Sequence, residues 1–381
     1  MTTKQDVKKN ILPHSQAKLD LFKGYLEHYL RVLGHADFCK QIHLFDIFCG
    51  AGLYDDGKKG SPLLAMDCIR NINKELLNNK RPVKTITLTV NDFDQKKIEN
   101  VKNNTDLQGI DNCSIEYCNE DANKMLDIVA SRVSNYPKDH RNLVFIDPYG
   151  YSLIKKEKIT HLLTNKCTEI ILFLPAMQMY RFTNKALSAK EIPQYEPLYN
   201  FIMSFFDNQN TIETKTIFEY IRSIKDALSI NRTYFTCSHY IEREKGNYYA
   251  LFFIGSNIYG LEKMLETKWK LDPVKGKGFN QNKNTMQLSM FEEEMNEYDN
   301  LREISYLEEI IYQSIKQNKT LTNIEIYELS VRNEFLPKHA NTALENLVKT
   351  KKIQEINNSL GYKINNSNYK NKIVTSKFIT L

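Results

Sequence analysis

Apolar side chains at Leu19, Phe22, Tyr25, Leu26, Tyr29 and Leu30 recur every three or four positions between residues 14 and 33, which predicts an amphipathic helix. The period then changes. "IHLFDIF" (42–48) is almost continuously apolar and predicts a buried strand. "SPLLAMDCIRNI" (61–72) returns to the helical period, with Ser61 placed to cap it and Pro62 at its first position. "TITLTV" (85–90), "CSIEYCNE" (113–120), "NLVFID" (142–147) and "TEIILFLP" (168–175) read as further strands. Helices at "QKKIENVKNN", "ANKMLDIVAS" and Lys155–Leu163 fall between them. Near-continuous apolar strands alternating with helices predict a parallel sheet covered on both faces. "TYFTCSHYIE" and "NYYALFFIGS", joined by the polar turn "REKGN", predict an antiparallel pair at its edge.

Around Asp272 the pattern dissolves into a polar stretch rich in Asn and Lys, which reads as a linker. Three candidate helices follow: "ISYLEEIIYQSIKQ", "TNIEIYELSVRN" and "KHANTALENLVKTKK". The pair "KIQEIN" and "LGYKIN" completes a unit with the outline of a winged helix. The expected division is an α/β domain over residues 1–275, a linker over 276–300 and a winged-helix-like domain over 301–381.

Charge and cysteine content sharpen this picture only slightly. A formal net charge of +6 favours a polyanionic partner without naming one. The seven cysteines form no C-x-x-C pair, and an odd number without a secretory signal points to a reducing, cytoplasmic setting. No apolar run approaches the ~20 residues needed to cross a bilayer. No metal site is read.

The candidate chemistry lies where strands end. After "HLFDIF" the chain places Asp46, Phe48, Gly50 and Gly52 in a D-x-F-x-G-x-G pattern. A glycine turn between strand and helix lets backbone approach a ligand and presents helix N-terminal amides to it. A third glycine is missing, and the acid stands inside the strand. That suits a nucleoside bearing an amino acid, with an ammonium to neutralise and no pyrophosphate to cradle. S-adenosylmethionine is such a ligand, with Asp46 facing its methionine part. The second strand ends in "VNDFD", which nominates Asp92, with Asp94 as the alternative, to accept both ribose hydroxyls. An aspartate there can equally cap the following helix. After the third strand, Asp121 is placed to accept from an adenine amino group, with Ala122 packing beside it.

The fourth strand ends "FIDPYGY", at the expected mouth of the site. Asp147 and the Pro148 carbonyl can accept the two hydrogens of an exocyclic amine, and Tyr149 or Tyr151 can stack on its base. Such a transfer needs no strong base, only an amine lone pair freed and aimed. The whole reading requires Asp46, Asp92 and Asp147 to converge.

The order and spacing of these pieces resemble the class I, Rossmann-like S-adenosylmethionine-dependent methyltransferases. More narrowly, "HSQAKLDLFKGYLEHYL", "FDIFCGAGLYDDGKKGSPLLA", "VNDFD", "FIDPYG" and "FLPKHANTALENLVKTKKI" resemble the three-Cys-motif partner (TcmP) family. The resemblance implies a methyltransferase-like fold, a partner protein bearing a three-cysteine motif, and Lys18 reaching the cofactor or target side. "DPYG" departs from the [DNS]-P-P-[YFW] of adenine-methylating DNA enzymes and stands nearer the D-P-F/Y-G of tRNA guanine methyltransferases. Two functions follow: methyl transfer to an exocyclic amine of a nucleic-acid base, or a non-catalytic scaffold that holds cofactor or nucleic acid for a neighbouring enzyme.

In the C-terminal unit, Lys338, His339, Asn341 and Thr342 would face a groove at the start of a recognition helix, with Lys338 and Asn341 reading substrate. Beyond it, Lys349, Lys351, Lys352, Lys363, Lys370, Lys372 and Lys377 stand against the single acid Glu355, an excess of the kind that contacts the phosphates of DNA or RNA. "QLSMF" (Gln287–Phe291) is similar to the short peptide by which bacterial enzymes dock on the sliding clamp.

Overall fold

A computed structural model describes residues 10–107, 110–148, 150–151, 154–188, 191–206, 216–244, 246–272, 278–280, 304–356 and 364–381. The chain opens with helix α1 (Pro13–Gly34), started by a proline whose absent N–H costs nothing in the first turn. Strands and helices then alternate: β1 (Gln41–Asp46), α2 (Ser61–Asn78), β2 (Thr85–Asn91), α3 (Gln95–Asn103) and β3 (Cys113–Cys118). They continue through α4 (Ala122–Asn135), β4 (His140–Ile146), α5 (Lys156–Leu163) and β5 (Thr168–Leu174). Three helices intervene, α6 (Ala176–Ser188), α7 (Glu196–Phe205) and α8 (Ile217–Leu228), before β6 (Phe235–Glu244) and β7 (Asn247–Gly255). Helix α9 (Ile258–Leu271) and the short β8 (Gly278–Asn280) close this part.

The sheet order is β3-β2-β1-β4-β5-β7-β6-β8. Strands β1 to β5 run parallel to their neighbours, and β7 pairs antiparallel with both β5 and β6. This is a Rossmann-like, mostly parallel sheet with an antiparallel edge. Two differences from the sequence expectation are local. The N-cap of α2 is Gly60, and Ser61 is already helical without capping. Part of the stretch read as linker, Gly278–Asn280, adds β8 parallel to β6.

Side chains alternate across the strands into two cores. Leu44, Leu88, Phe145 and Phe253 pack beneath α1, α2 and α9, while Phe45, Val144, Leu172 and Phe252 pack on the opposite face. Chain order reverses between β1 and β4, so the crevice of this architecture opens at their carboxyl ends.

The C-terminal unit holds α10 (Ile304–Asn318), β9 (Leu321–Thr322), α11 (Asn323–Arg332), α12 (Pro337–Lys349), β10 (Ile353–Ile356), α13 (Asn366–Asn371) and β11 (Lys377–Thr380). Its three strands are antiparallel in the order β10-β11-β9. The partner of β10 is therefore β11, not the expected "LGYKIN", of which residues 360–363 lie outside the described residues. "QLSMF" lies outside them as well.

This unit is docked on α9. Leu307, Ile311, Tyr327 and Phe335 continue the core that lies beneath α1 and α9. Across the junction, Glu334 accepts from Lys268 and, at 3.1 Å, from Lys225. Tyr327 donates to Glu262, and the Trp269 indole donates to the Glu334 carbonyl at 3.3 Å. His339 stands edge-on against Trp269 with ring centroids 4.3 Å apart. Burial there, and next the neighbouring Lys338 charge, push its imidazole down to about 4, so it is neutral at pH 7. The start of α12 thus meets protein at His339, which corrects the expectation that His339 faces a groove.

Candidate functional site

The carboxyl ends of β1, β2 and β4 meet around the two glycines. β1 ends on Asp46, and the chain stays tied to both neighbouring strands. Ile47 N–H donates to the Phe145 carbonyl at 3.0 Å, and Cys49 N–H to that of Asn91 at 2.9 Å. The chain then turns through left-handed backbone at Gly50 (φ +63°) and Gly52 (φ +76°). A side chain added at Gly50 would meet nothing within 4 Å, whereas one at Gly52 would stand 3.0 Å from Val101 Cγ2. The two positions answer different demands: Gly50 borders open space, while Gly52 is packed against Val101 in the last turn of α3 and against Pro62 and Leu63 of α2.

Asp46 is 3% exposed, and its carboxylate lies close to the Ser61 hydroxyl and the Phe48 amide without a well-formed hydrogen bond to either. Burial, then the nearby Asp147 carboxylate, push its carboxyl up to about 7, with Ser61, Lys18 and the Phe48 amide pulling the other way. A buried carboxylate without a well-formed hydrogen bond, beside a glycine turn, fits the ammonium of a ligand.

Helix α1 crosses this end of the sheet and delivers Lys18 to Asp147, with which it forms an ion pair and hydrogen bond. The ammonium also stands 5.0 Å from the centroid of the Phe173 ring, at the end of β5. Burial lowers the Lys18 pKa, but Asp147, with Tyr54 and Asp46 behind it, outweighs that and leaves it raised. Lys18 is therefore charged, and the expected amine acceptor already holds a cation. Asp147 remains 19% exposed, at the surface of the cluster.

At the end of β2, Asp92 is 4% exposed. Its Oδ2 accepts from the Gly50 amide at 3.2 Å and from Lys97 at 3.5 Å, and its Oδ1 accepts from the Asp94 amide at 2.9 Å. Asp94 caps α3, accepting from the Lys96 amide, so the cap and the buried acid are separate residues. Between them Phe93 is 79% exposed. Its backbone is pinned by the Asn119 side chain, which donates to the Asp92 and Phe93 carbonyls at 2.9 Å each. Sequence reasoning missed Phe93, because an apolar residue between two acids carries no signal of exposure.

Asp121 serves as the N-cap of α4, its Oδ1 accepting from the Asn123 and Lys124 amides at 2.9 and 3.4 Å, and Ala122 is buried behind it. Pro148 is buried, Gly150 borders open space, and Tyr149 lies outside the described residues. Tyr151 is half-buried and packs edge-on to Phe201 of α7, ring centroids 6.4 Å apart. Phe48 is half-buried against the core face that includes Phe45. Lys338 and Asn341 belong to α12; Lys338 is exposed, and Asn341 Oδ1 is buried without a partner. Asp46, Gly50, Gly52, Asp92, Asp147 and Lys18 are thus brought together. Among the described residues no group of three or more His, Cys, Asp or Glu could hold a metal, and no helix is long and apolar enough to cross a membrane.

No protein-family model and no curated protein matches the chain. Solved structures that resemble it include WbdD, at 12% identity and a TM-score of 0.31, over 63% of this chain and 40% of that one. A putative class I S-adenosylmethionine-dependent methyltransferase from Listeria monocytogenes aligns at 8% identity and a TM-score of 0.30, over 64% of this chain and 62% of that one. A putative O-methyltransferase from Klebsiella pneumoniae aligns at 11% identity and a TM-score of 0.30, over 65% of this chain and 91% of that one. The chain spans less than two thirds of the first two structures. The fold assignment rests on the strand order, not on these likenesses.

Proposed function

We propose that this protein binds S-adenosylmethionine at the carboxyl ends of β1, β2 and β4 and transfers its methyl group to an exocyclic amine of a nucleic-acid base. The observation that carries the reading is the buried Asp46 carboxylate, without a well-formed hydrogen bond, beside the open Gly50. The donor, when bound, supplies an electrophilic methyl group on a positively charged sulfonium. Asp46 receives its ammonium, Asp92 its ribose hydroxyls, and the exposed Phe93 ring offers a face to its adenine. Gly50 leaves the room these contacts need.

On the acceptor side, Asp147 takes one hydrogen of the base amine and the Pro148 carbonyl takes the other, which frees the lone pair and aims it. Lys18 and the incoming amine then compete for the same carboxylate. That competition is the one observation favouring the second reading, a scaffold that holds cofactor or nucleic acid for a partner enzyme, and the TcmP-like motifs extend either reading to a partner with a three-cysteine motif. The helices and strands after Ile304 are read as a winged helix, and the free thiols suit a reducing compartment.

Calorimetry with S-adenosylmethionine and mass spectrometry of incubated DNA and RNA test the proposal together. Asp147→Ala should abolish base methylation and leave donor affinity almost intact. Unchanged turnover in that variant removes Asp147 from its role. Donor binding without any methylated base would favour the scaffold, and absence of donor binding would sink methyl transfer and leave only a scaffold that holds nucleic acid.

A further inference from the structure

The C-terminal unit carries its charge in a way that its docking makes legible. Three of its acids are engaged at its helices. Glu325 closes a capping box at the start of α11, Glu328 accepts from Arg332 and Tyr369, and Glu334 is buried against α9. Four lysines lie outside the helices. Lys351, Lys352, Lys372 and Lys377 are exposed, and none has an ion-pair partner among the described residues.

The strand register places Lys377 on one surface, and Lys352, whose carbonyl accepts from the Leu381 amide at 3.2 Å, extends the ladder by one position. In the β10–β11 ladder Phe378 and Ile353 face inward, 0% and 1% exposed, so their neighbours Lys377 and Ile356 face outward, paired directly across the strands. Lys372 ends α13 in the left-handed conformation and is followed by Ile373 and Val374, each 47% exposed. This apolar pair is not loosely held. Ile373 N–H donates to the Asn368 carbonyl at 2.8 Å, and Asn323 bonds both the Ile373 carbonyl, at 3.1 Å, and the Thr375 amide, at 2.9 Å. Apolar side chains fixed outward among unpaired lysines mark a contact surface. Lys352 and Lys377 stand about four strand residues apart, roughly 13 Å, or about four nucleotides of one strand.

We infer that the sugar–phosphate backbone of a nucleic-acid strand lies across this outer sheet face, with the lysines on phosphates and Ile356, Ile373 and Val374 against the sugars. The unit therefore presents strands to its polyanion, not the start of α12, where His339 is packed on Trp269. This rests on the nucleic-acid reading above and names the surface that serves it.

Fluorescence anisotropy of the full chain with 20-base-pair DNA and RNA duplexes over a salt series provides the test, the two arms deciding which nucleic acid supplies the phosphates. Lys372→Gln with Lys377→Gln should weaken binding more than about tenfold at 0.1 M salt and make the log–log salt slope shallower by about 1.8. Lys74→Gln with Lys80→Gln, an equal charge loss on the far end of α2, should move neither. No binding to either duplex overturns the inference. So does loss of binding in Lys338→Gln with the sheet variant unaffected, or equal competition by a polyglutamate of matched charge. Calorimetry with the methyl donor separates failures: a duplex bound without the donor sinks methyl transfer and leaves this surface standing, and the reverse sinks this surface alone.

Discussion

Replacing Glu334 with alanine strands a lysine that has nowhere to go. Lys268 is 0% exposed, and its ammonium has two acceptors, the Glu334 carboxylate and the Ser238 carbonyl. Removing one partner of a buried ion pair leaves an uncompensated charge and costs about 3–5 kcal/mol. Lys225, 15% exposed, can turn to water and contributes little to the loss. Glu334 also sits at φ +67°, a conformation that disfavours side chains by about 1 kcal/mol. Glu334→Gly should therefore be less destabilising than Glu334→Ala by about that amount. Glu334→Leu combined with Lys268→Met should return near the parent, because well-packed apolar pairs replace buried ion pairs at little or no cost. The single tryptophan, Trp269, reports the junction directly through its contact with His339. In a urea titration of Glu334→Ala, Trp269 emission should change at lower urea than the far-ultraviolet circular dichroism, as the C-terminal unit leaves α9 first. A loss below about 1 kcal/mol, with both probes still coincident, would refute the assignment of this triad as the lock between the two parts.

Other consequences follow from the site. Asp46 titrates near 7 when folded and near 3.8 when free, so the stability tied to its neutral form is complete below pH 4 and fades as pH rises through 7. Asp46→Asn should accordingly stabilise the ligand-free protein by about 2–4 kcal/mol at pH 8 and hardly at all at pH 4, read as thermal melts. In the parent, donor affinity should climb about tenfold per pH unit below 7 as the carboxyl ionises, and calorimetry in Asp46→Asn should lose that dependence. Gly52→Ala should lower stability by about 1–3 kcal/mol, since left-handed backbone and the Val101 contact both oppose it, while Gly50→Ala should cost only about 1 kcal/mol of strain. Phe93→Ala, at a site already 79% exposed, should leave the melting temperature unchanged and weaken donor binding about tenfold in calorimetry.

Much of the site was legible because its parts are local. A parallel strand buried on both faces is nearly all apolar, so Asp46 stands out in "IHLFDIF", and Gly50 and Gly52 follow within the same turn. Each strand end announces an acid, which is why Asp92 and Asp147 could be nominated from spacing. What spacing could not do is separate two uses of one carboxylate. Asp94 and Asp121 sit at strand-to-helix turns and cap helices, whereas Asp92, two residues from Asp94, holds the glycine loop.

Taken alone, the chain of residues determined the alternation of strands and helices and hence which acids end at one pole of the sheet, because apolar period and turn chemistry act over a few neighbours. Folding decided the rest. Lys18 reaches Asp147 across 129 positions, and Glu334 reaches Lys268 across 66, pairings that exist only once α1 and α9 lie where the sheet puts them. The same holds for His339, whose helix reads as a groove-facing start in one dimension and meets Trp269 in three. Burial is a property of the whole packed surface, and no local pattern can state which polar face another element will cover.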